Sequence, residues 1–576
     1  MMNEHSKHGW WVAGIFLLVA TMGMTWGAGC GGDDDDDSSD DDVVDDDSVD
    51  DDDTVDDDVV DDDSVDDDDT VDDDTSDDDT GDDDDTSDDD TADDDDTADD
   101  DTTDDDTSDD DTSDDDTSDD DTSDDDTSDD DTGDDDLDEP WDPSTVVPIE
   151  RHPAMRGLTT LRGLIHMHSI YSHDACDGKP FIDGKPNQDC YDQLREAICT
   201  TNQQFVFLTD HDDSFVHYEY PEVLLYQPDE GDELLYEGEF PYANKITCED
   251  GNYALVTAGN ENDLMPLGLR RMPDGDAAAR SQLLNGSTAD AVAGMKALGA
   301  MVFIPHTEGW KTEDILALPV DGFEVYNLHA NIDPDIRAEF LGLPALGFLG
   351  DLYNMLFPFG DSAHPDLMLM AFLSENGPSR MHWDKVLNQR HTVVTVATDA
   401  HRNALPFNLS DGDRADSYRR MMRWFANYVL VEHRNLDEIE EAVGDGRMYG
   451  AFQVFGEPIG FDFHITDDSA VHEMGDMASL GDSAVAHIKA PTLYNMPPGL
   501  ATPTIKLQLW RADGSGGELV TETTESTIDL PLDETGAYYV TATIVPDHLE
   551  SWLGPKASQF IREYPLIYAN AIYVGP

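Results

Sequence analysis

The chain has 576 residues, with 135 Asp plus Glu against 29 Lys plus Arg, a net charge of −106 and a sequence pI of about 4.1. Residues 33–138 hold 67 Asp and no Lys, Arg or His, so the net charge outside them is about −39. What remains suffices for roughly two or three domains, and its acidity argues against a nucleic-acid partner, which needs basic surface against phosphates.

Residues 1–30 read as a lipoprotein-type export signal. Lys7 and His8 precede an apolar run from Trp10 to Ala20, and Gly27-Ala28-Gly29 lead into Cys30, the expected lipid-modified residue. Gly27 stands where the lipoprotein pattern usually has an aliphatic residue, so a simple secretory signal is the alternative. A lipid-anchored place in the cell envelope or on the cell surface follows, or secretion under that alternative.

Residues 31–140 form a low-complexity tether, mostly Asp-Asp-Asp-Thr-Ser in a period of five. Like charges at this density repel, and there is almost nothing apolar to bury, so the segment is expected to stay disordered and solvated. Fully stretched it spans roughly 350 Å at ~3.3 Å per residue. Carboxylates also suit calcium, but the repeat lacks the glycine turns of calcium loops, so loose polyvalent binding is expected.

Globular composition begins after Pro140-Trp141-Asp142-Pro143, and residues 145–455 read as one catalytic domain. Thr160-Leu-Arg-Gly-Leu-Ile-His166 reads as a strand running into His166-Met-His168. Cys176, Cys190, Cys199 and Cys248 are an even set suited to an oxidising compartment. Four cysteines permit three connectivities, of which 176–190 with 199–248 is the expected one. Phe205-Val-Phe-Leu-Thr-Asp210 reads as a buried strand ending at His211. Ala254 to Glu261, Met301-Val-Phe-Ile-Pro-His306 and Thr392 to Asp399 repeat the design of an apolar run followed by a ligand-type residue. Helices are expected between them, as at 189–200 and 288–298. Residues 333–387, rich in Leu, Met, Phe and Pro, read as a helical insertion. Strands alternating with helices, with reactive residues after the strands, imply a parallel α/β barrel with its site at the carboxyl-end face.

Taken together, His166-x-His168 with Asp174, Thr209-Asp210-His211, Glu261, Pro305-His306 and Thr398-Asp399-Ala400-His401 resemble the ordered motifs of the PHP (polymerase and histidinol phosphatase) superfamily over about residues 157–455. A single His-x-His carries little weight. Five ordered matches, each after an apolar run, carry much more. The resemblance implies a distorted (β/α)7 TIM-like barrel and a site of two or three divalent metal ions. In it His166, His168, Glu261 and Asp399 hold one metal, Glu261 bridges to a second held by His306, and Asp174, His211 and His401 hold a third. Asn327 or His329 completes the second. His173-Asp174 stands where many relatives have Asp-Gly, and Asp174 is taken as the ligand; Asp210 is read as a supporting residue at a strand end.

The chemistry agrees with the resemblance. Mixed imidazole and carboxylate ligands suit Zn, Mn or Fe, and such ions bring the pKa of a bound water near neutrality. The resulting hydroxide is the expected nucleophile. A Gly-x-Ser-x-Gly elbow and a Walker-type loop are both absent. Arg402, directly after the last ligand pair, is a candidate for substrate phosphate, with a surface salt bridge as the alternative; Lys311 is a weaker candidate. His217, His364, His433 and His487 lie outside the motifs and read as surface or hydrogen-bonded residues.

Residues 456–576 alternate as strands between Gly, Pro and Asp and read as a small accessory β-sandwich, structural, with carbohydrate or partner binding as the alternative. The expectation is an exported metal-dependent phosphoesterase acting on a small, phosphorylated substrate. A hydrolase of carboxylic ester, amide or carbamate bonds is the enzymatic alternative, and a non-catalytic surface binding module is the other.

Overall fold

The computed structural model describes residues 139–356, 363–481 and 483–576. The export signal, Cys30 and the Asp-rich tether lie outside the described residues. The apolar runs form strands: β1 (Thr159–Met167), β2 (Phe205–Leu208), β3 (Tyr253–Thr257), β4 (Met265–Leu267), β5 (Met301–Ile304), β6 (Gly322–Asn327), β7 (Val393–Ala397), β8 (Ala426–Val431) and β9 (Met448–Ala451). Far along the chain follows β10 (Tyr564–Gly575).

Every residue of β2, β6 and β7 is buried, which is what continuous apolar runs give when a parallel sheet is covered on both faces. β1, β2 and β3 are parallel neighbours, and so are β5, β6 and β7, with β4 antiparallel to β5. Antiparallel β8 flanks β1, and β9 and β10 continue that sheet. Among the described residues the backbone ladders form open sheets, the largest of 12 strands.

The two parallel sets approach each other at both ends. On one side Met167 and Ala400 form a parallel bridge, with the His168 N–H donating to the Ala400 carbonyl at 3.2 Å. On the other the Leu269 N–H donates to the Ala258 carbonyl at 2.8 Å. Between β7 and its neighbours β8 and β10, side chains replace a ladder. Asn427 of β8 accepts from the Val396 N–H at 3.1 Å and donates to the Val396 carbonyl at 2.9 Å. Asn570 of β10 does the same for Val394, at 2.8 and 3.0 Å. A primary amide carries both a donor and an acceptor, so a buried asparagine copies a peptide edge.

Helix Gln188–Thr200 opens on Asn187, whose side chain accepts from the Cys190 N–H. Disulfides Cys176–Cys190 and Cys199–Cys248 are both formed and tie the helix down at either end. Within residues 333–387 lie helices Pro334–Glu339, Phe348–Leu356 and Gly377–Leu387. Beyond Gly456, strands Thr504–Arg511, Glu518–Thr523 and Gly536–Val545 extend the β10 edge, so this part continues the main sheet. Asp462–Thr466, Val485–Lys489 and Thr527–Pro531 belong to a second, smaller sheet. No helix among the described residues is long and apolar enough to cross a membrane.

Buried Glu457 fastens β1 and β8 to the segment at His152. It meets His152 Nε2 at 2.8 Å, Arg162 of β1 at 3.1 Å and the Tyr428 hydroxyl of β8 at 2.6 Å. Burial disfavours its charge, but Arg162, His152 and Tyr428 outweigh burial and hold its pKa at about 2, against an ordinary 4.5. A carboxylate depressed on folding stabilises above its unfolded pKa, and that stability is lost as pH falls from near 4.5 towards 2. Urea unfolding is expected to show this group losing on the order of 3 kcal/mol across that window, with Glu457→Gln flattening the slope.

Candidate metal centre

β1 delivers the first two histidines. Residues two apart on a strand face the same side, which sends His166 and His168 inward together. A register shift between Ile165 and Met167 marks a bulge, and His166 there has φ +75°. His306, Asp399 and Arg402 also hold left-handed backbones, at φ +48°, +52° and +56°. Each such conformation in a non-glycine residue costs roughly 1–2 kcal/mol. Three of the four occur at candidate ligands, His166 at the bulge within β1 and His306 and Asp399 two residues past the ends of β5 and β7, and aim their side chains into one space.

That space is crowded with donors. Asp399 Oδ1 lies 3.1 Å from His166 Nε2, 3.2 Å from His168 Nε2 and 3.3 Å from His401 Nδ1. Its Oδ2 lies 3.4 Å from His306 Nε2 and 3.6 Å from His329 Nδ1. Glu261 Oε1 stands 3.2 Å from His166 Nε2 and 2.8 Å from His306 Nε2, and its Oε2 stands 3.2 Å from His168 Nε2. Asp174 Oδ2 lies 3.3 Å from His401 Nε2 and 3.7 Å from His211 Nε2. The rings of His168 and His401 stack at 3.6 Å.

The outward nitrogens of His166, His168, His211 and His401 are accounted for, and that fixes the inward ones. His166 Nδ1 meets Glu324 Oε1 at 2.6 Å, His211 Nδ1 meets the Glu261 carbonyl at 3.1 Å, and His401 Nδ1 meets the Asp399 carbonyl at 3.0 Å. Those oxygens only accept, so each Nδ1 carries the proton. The Ser172 hydroxyl donates to Asp174 Oδ1 at 2.9 Å and therefore accepts from His168 Nδ1 at 3.2 Å. Four imidazoles thus turn Nε2 towards the same interior. This is how metal-binding histidines are oriented by their surroundings.

The residues present fit metal ions. His166 Nε2, His168 Nε2, His401 Nε2 and Asp399 Oδ1 are buried without a hydrogen-bond partner, an arrangement that costs free energy unless something fills it. Three sets of ligand atoms converge: His166, His168, Glu261 and Asp399; His168, His211 and His401; and His306, His329 and Asp399. Mixed nitrogen and carboxylate donors suit Zn, Mn or Fe.

The charges agree. Burial works against the charged imidazoles, yet Glu261 and Asp399 overcome it, lifting His166 well above its ordinary value and His168 to about 9. Burial likewise opposes His306, which Glu261 and then Asp399 raise to about 10. Burial also opposes the ionised carboxylates, but the surrounding imidazoles hold Glu261 and Asp399 well below their ordinary values. His401 falls to about 4, mainly through burial and aided by His168 and His211. The carboxylates therefore stay ionised, and an ion between them would replace the Nε2 protons that the raised imidazoles otherwise carry.

No known family profile matches the chain, and no curated protein matches it. Among solved structures, a two-domain protein from Bacteroides vulgatus ATCC 8482 containing a predicted PHP-like metal-dependent phosphoesterase is similar at 13% identity and a TM-score of 0.28. The match covers 74% of this chain and 99% of that one, a likeness too slight to carry a function across.

All eight expected ligands, His166, His168, Asp174, His211, Glu261, His306, Asp399 and His401, gather in this one place. His168 faces two of the three sets. Of the two further candidates, His329 joins a set and Asn327 does not. The Asn327 side chain is occupied, accepting from the His329 N–H at 2.8 Å and donating to Glu324 Oε2 at 2.8 Å. Asp210 is buried and takes the Ser169 N–H and hydroxyl at 2.6 and 2.8 Å, which fixes the turn after His168. Arg402 pairs with Asp189 at 3.0 Å, and Lys311 is exposed. His173, at the departure from the PHP pattern, meets Asp213 at 2.9 Å. Glu324 and Ser172 carry no signal in the sequence beyond their nearness to ligands, and only the fold assigns them partners.

Proposed function

We propose that the protein is an exported metal-dependent hydrolase of the PHP type, a phosphoesterase by first choice. The two parallel strand sets are read as the arcs of a distorted (β/α)7 barrel, followed by a β-sandwich. The observation that carries the function is the set of four imidazoles whose Nδ1 protons are given outward while their Nε2 atoms turn inward, those of His166 and His168 onto Glu261 and Asp399 and those of His211 and His401 onto Asp174. Two or three divalent ions held there would acidify a water and neutralise charge on a phosphoryl group.

The chain's own residues do the rest. Glu261 and Asp399, kept ionised, hold the floor of the site, while Glu324, Ser172 and two backbone carbonyls fix the ring orientations. His166 and His168 are fully buried, whereas the side chains of His329, Asp174 and His306 are 40%, 35% and 27% exposed. A substrate therefore approaches from the side of His306, His329 and Asp174, over a floor closed to bulk water. Arg402 is engaged by Asp189, so no strong phosphate clamp is provided there. That observation keeps carboxylic ester, amide or carbamate hydrolysis as the second reading.

Export is supported by the two disulfides, which persist in oxidising compartments. With Cys30 lipidated, the Asp-rich segment would carry the catalytic unit away from the membrane, towards nutrient or environmental substrates. The test is to purify the protein, measure its metal content, and screen phosphomonoesters, phosphodiesters and aryl esters with wild type and His166→Ala. At least two metals per chain and a turnover lost on chelation and in the variant are expected. Fewer than two metals with no metal-dependent turnover would leave a binding module as the better reading.

A further inference from the structure

We infer that Glu324 is the positioning residue that couples three candidate metal ligands, an inference that rests on the metal-centre reading above. Glu324 lies on β6, is 1% exposed, and sits where β6 shifts register against β7. Its Oε1 accepts a hydrogen bond from His166 Nδ1–H at 2.6 Å, which turns His166 Nε2 towards Glu261 and Asp399. Its Oε2 accepts the His306 backbone N–H at 3.1 Å, holding the residue whose φ is +48°. The same Oε2 accepts from Asn327 Nδ2 at 2.8 Å, and Asn327 Oδ1 in turn receives the His329 N–H.

One carboxylate thus reaches ligands on three different segments. It acts on His166 through its side chain, on His306 through its backbone, and on His329 through Asn327 and the helix Leu328–Ile332 that Asn327 caps. The chemistry requires a carboxylate here. All three neighbours donate, and only a carboxylate offers acceptor lone pairs on both oxygens. A glutamine in its place would turn an NH2 group towards either His166 or the pair of donors from His306 and Asn327. Asn327 is accordingly a link in the support, and His329 is the ligand it presents beside His306 and Asp399.

The test compares the full chain with Glu324→Gln, Asn327→Ala and, as a control remote from the site, Glu457→Gln, which alters another buried carboxylate. Each protein is stripped with a chelator, its melting is recorded without metal, and zinc is titrated back against a competing chromophore. Glu324→Gln is expected to bind zinc about 10–100-fold more weakly while its metal-free melting tracks the Glu457→Gln control. Asn327→Ala is expected to bind one zinc fewer than wild type. Wild-type affinity and stoichiometry in both site variants would overturn the inference and leave the metal-centre reading intact. Equal weakening in Glu457→Gln would overturn it as general softening. Wild type that binds no zinc, manganese or iron would instead remove the metal centre itself. Should Glu324→Gln fail to fold, Asn327→Ala decides alone, and a full zinc complement in it overturns the proposal.

Discussion

Asp399→Asn is expected to strip the protein of at least two metal ions and to cut turnover by on the order of a thousandfold or more. The substitution is isosteric, so the side chain still fits, but one oxygen and the negative charge are gone. Asp399 stands within 3.1–3.6 Å of His166, His168, His401, His306 and His329 and belongs to two of the three converging sets. An ion that neutralises a reacting group supplies several kcal/mol of stabilisation, and each 1.4 kcal/mol is about tenfold in rate. The check pairs metal analysis with kcat/KM. A second readout separates lost metal from lost fold: adding a chelator is expected to lower the melting temperature of wild type and leave that of Asp399→Asn unmoved. A variant that keeps its metals would show that Asp399 does not hold them.

Gly259→Ala is expected to cost about 3 kcal/mol of stability or more, with weaker metal binding in the protein that does fold. A Cβ built at Gly259 would stand 2.2 Å from the Pro266 carbonyl oxygen and 2.9 Å from that of Leu208. Both obstacles are backbone atoms of β4 and the end of β2, so no rotamer change relieves the clash. Overpacking a core costs roughly 1–3 kcal/mol and more where nothing yields. Gly259 precedes Glu261 by two residues, so relief by backbone shift would move a ligand shared between His166, His168 and His306. Gly350, exposed in helix Phe348–Leu356 with nothing within 4 Å, is the matched control. Gly350→Ala is expected to be neutral or to stabilise by up to about 1 kcal/mol. Urea unfolding of the two variants side by side measures the difference.

The ligand-bearing strands were legible because each combines an apolar run with a polar residue at its end. Phe205–Leu208 before His211 and Val393–Ala397 before Asp399 show this. Cysteine spacing suggested the pairing that forms. Residues acting through a partner on another segment were not legible. Glu324 is one acidic residue inside an apolar strand, and its worth depends on His166, which is 158 positions away. The choice between Asn327 and His329 turned on which side chain the helix start consumes, a matter of local geometry. Asn427 and Asn570 look like strand interruptions until the backbone edge they copy is in view.

Asn570 also makes the strand that carries Asp399 depend on the far end of the chain. β7 leads directly into Asp399 and His401, yet beside Val394 its edge is clasped by the side chain of Asn570, 176 positions later. A nascent chain that has reached His401 already possesses every ligand, but not the clasp. The loop that must close first is long, and closures of that length slow folding. A metal bound there would therefore sit beside a strand whose edge is complete only once the C-terminal strands have arrived.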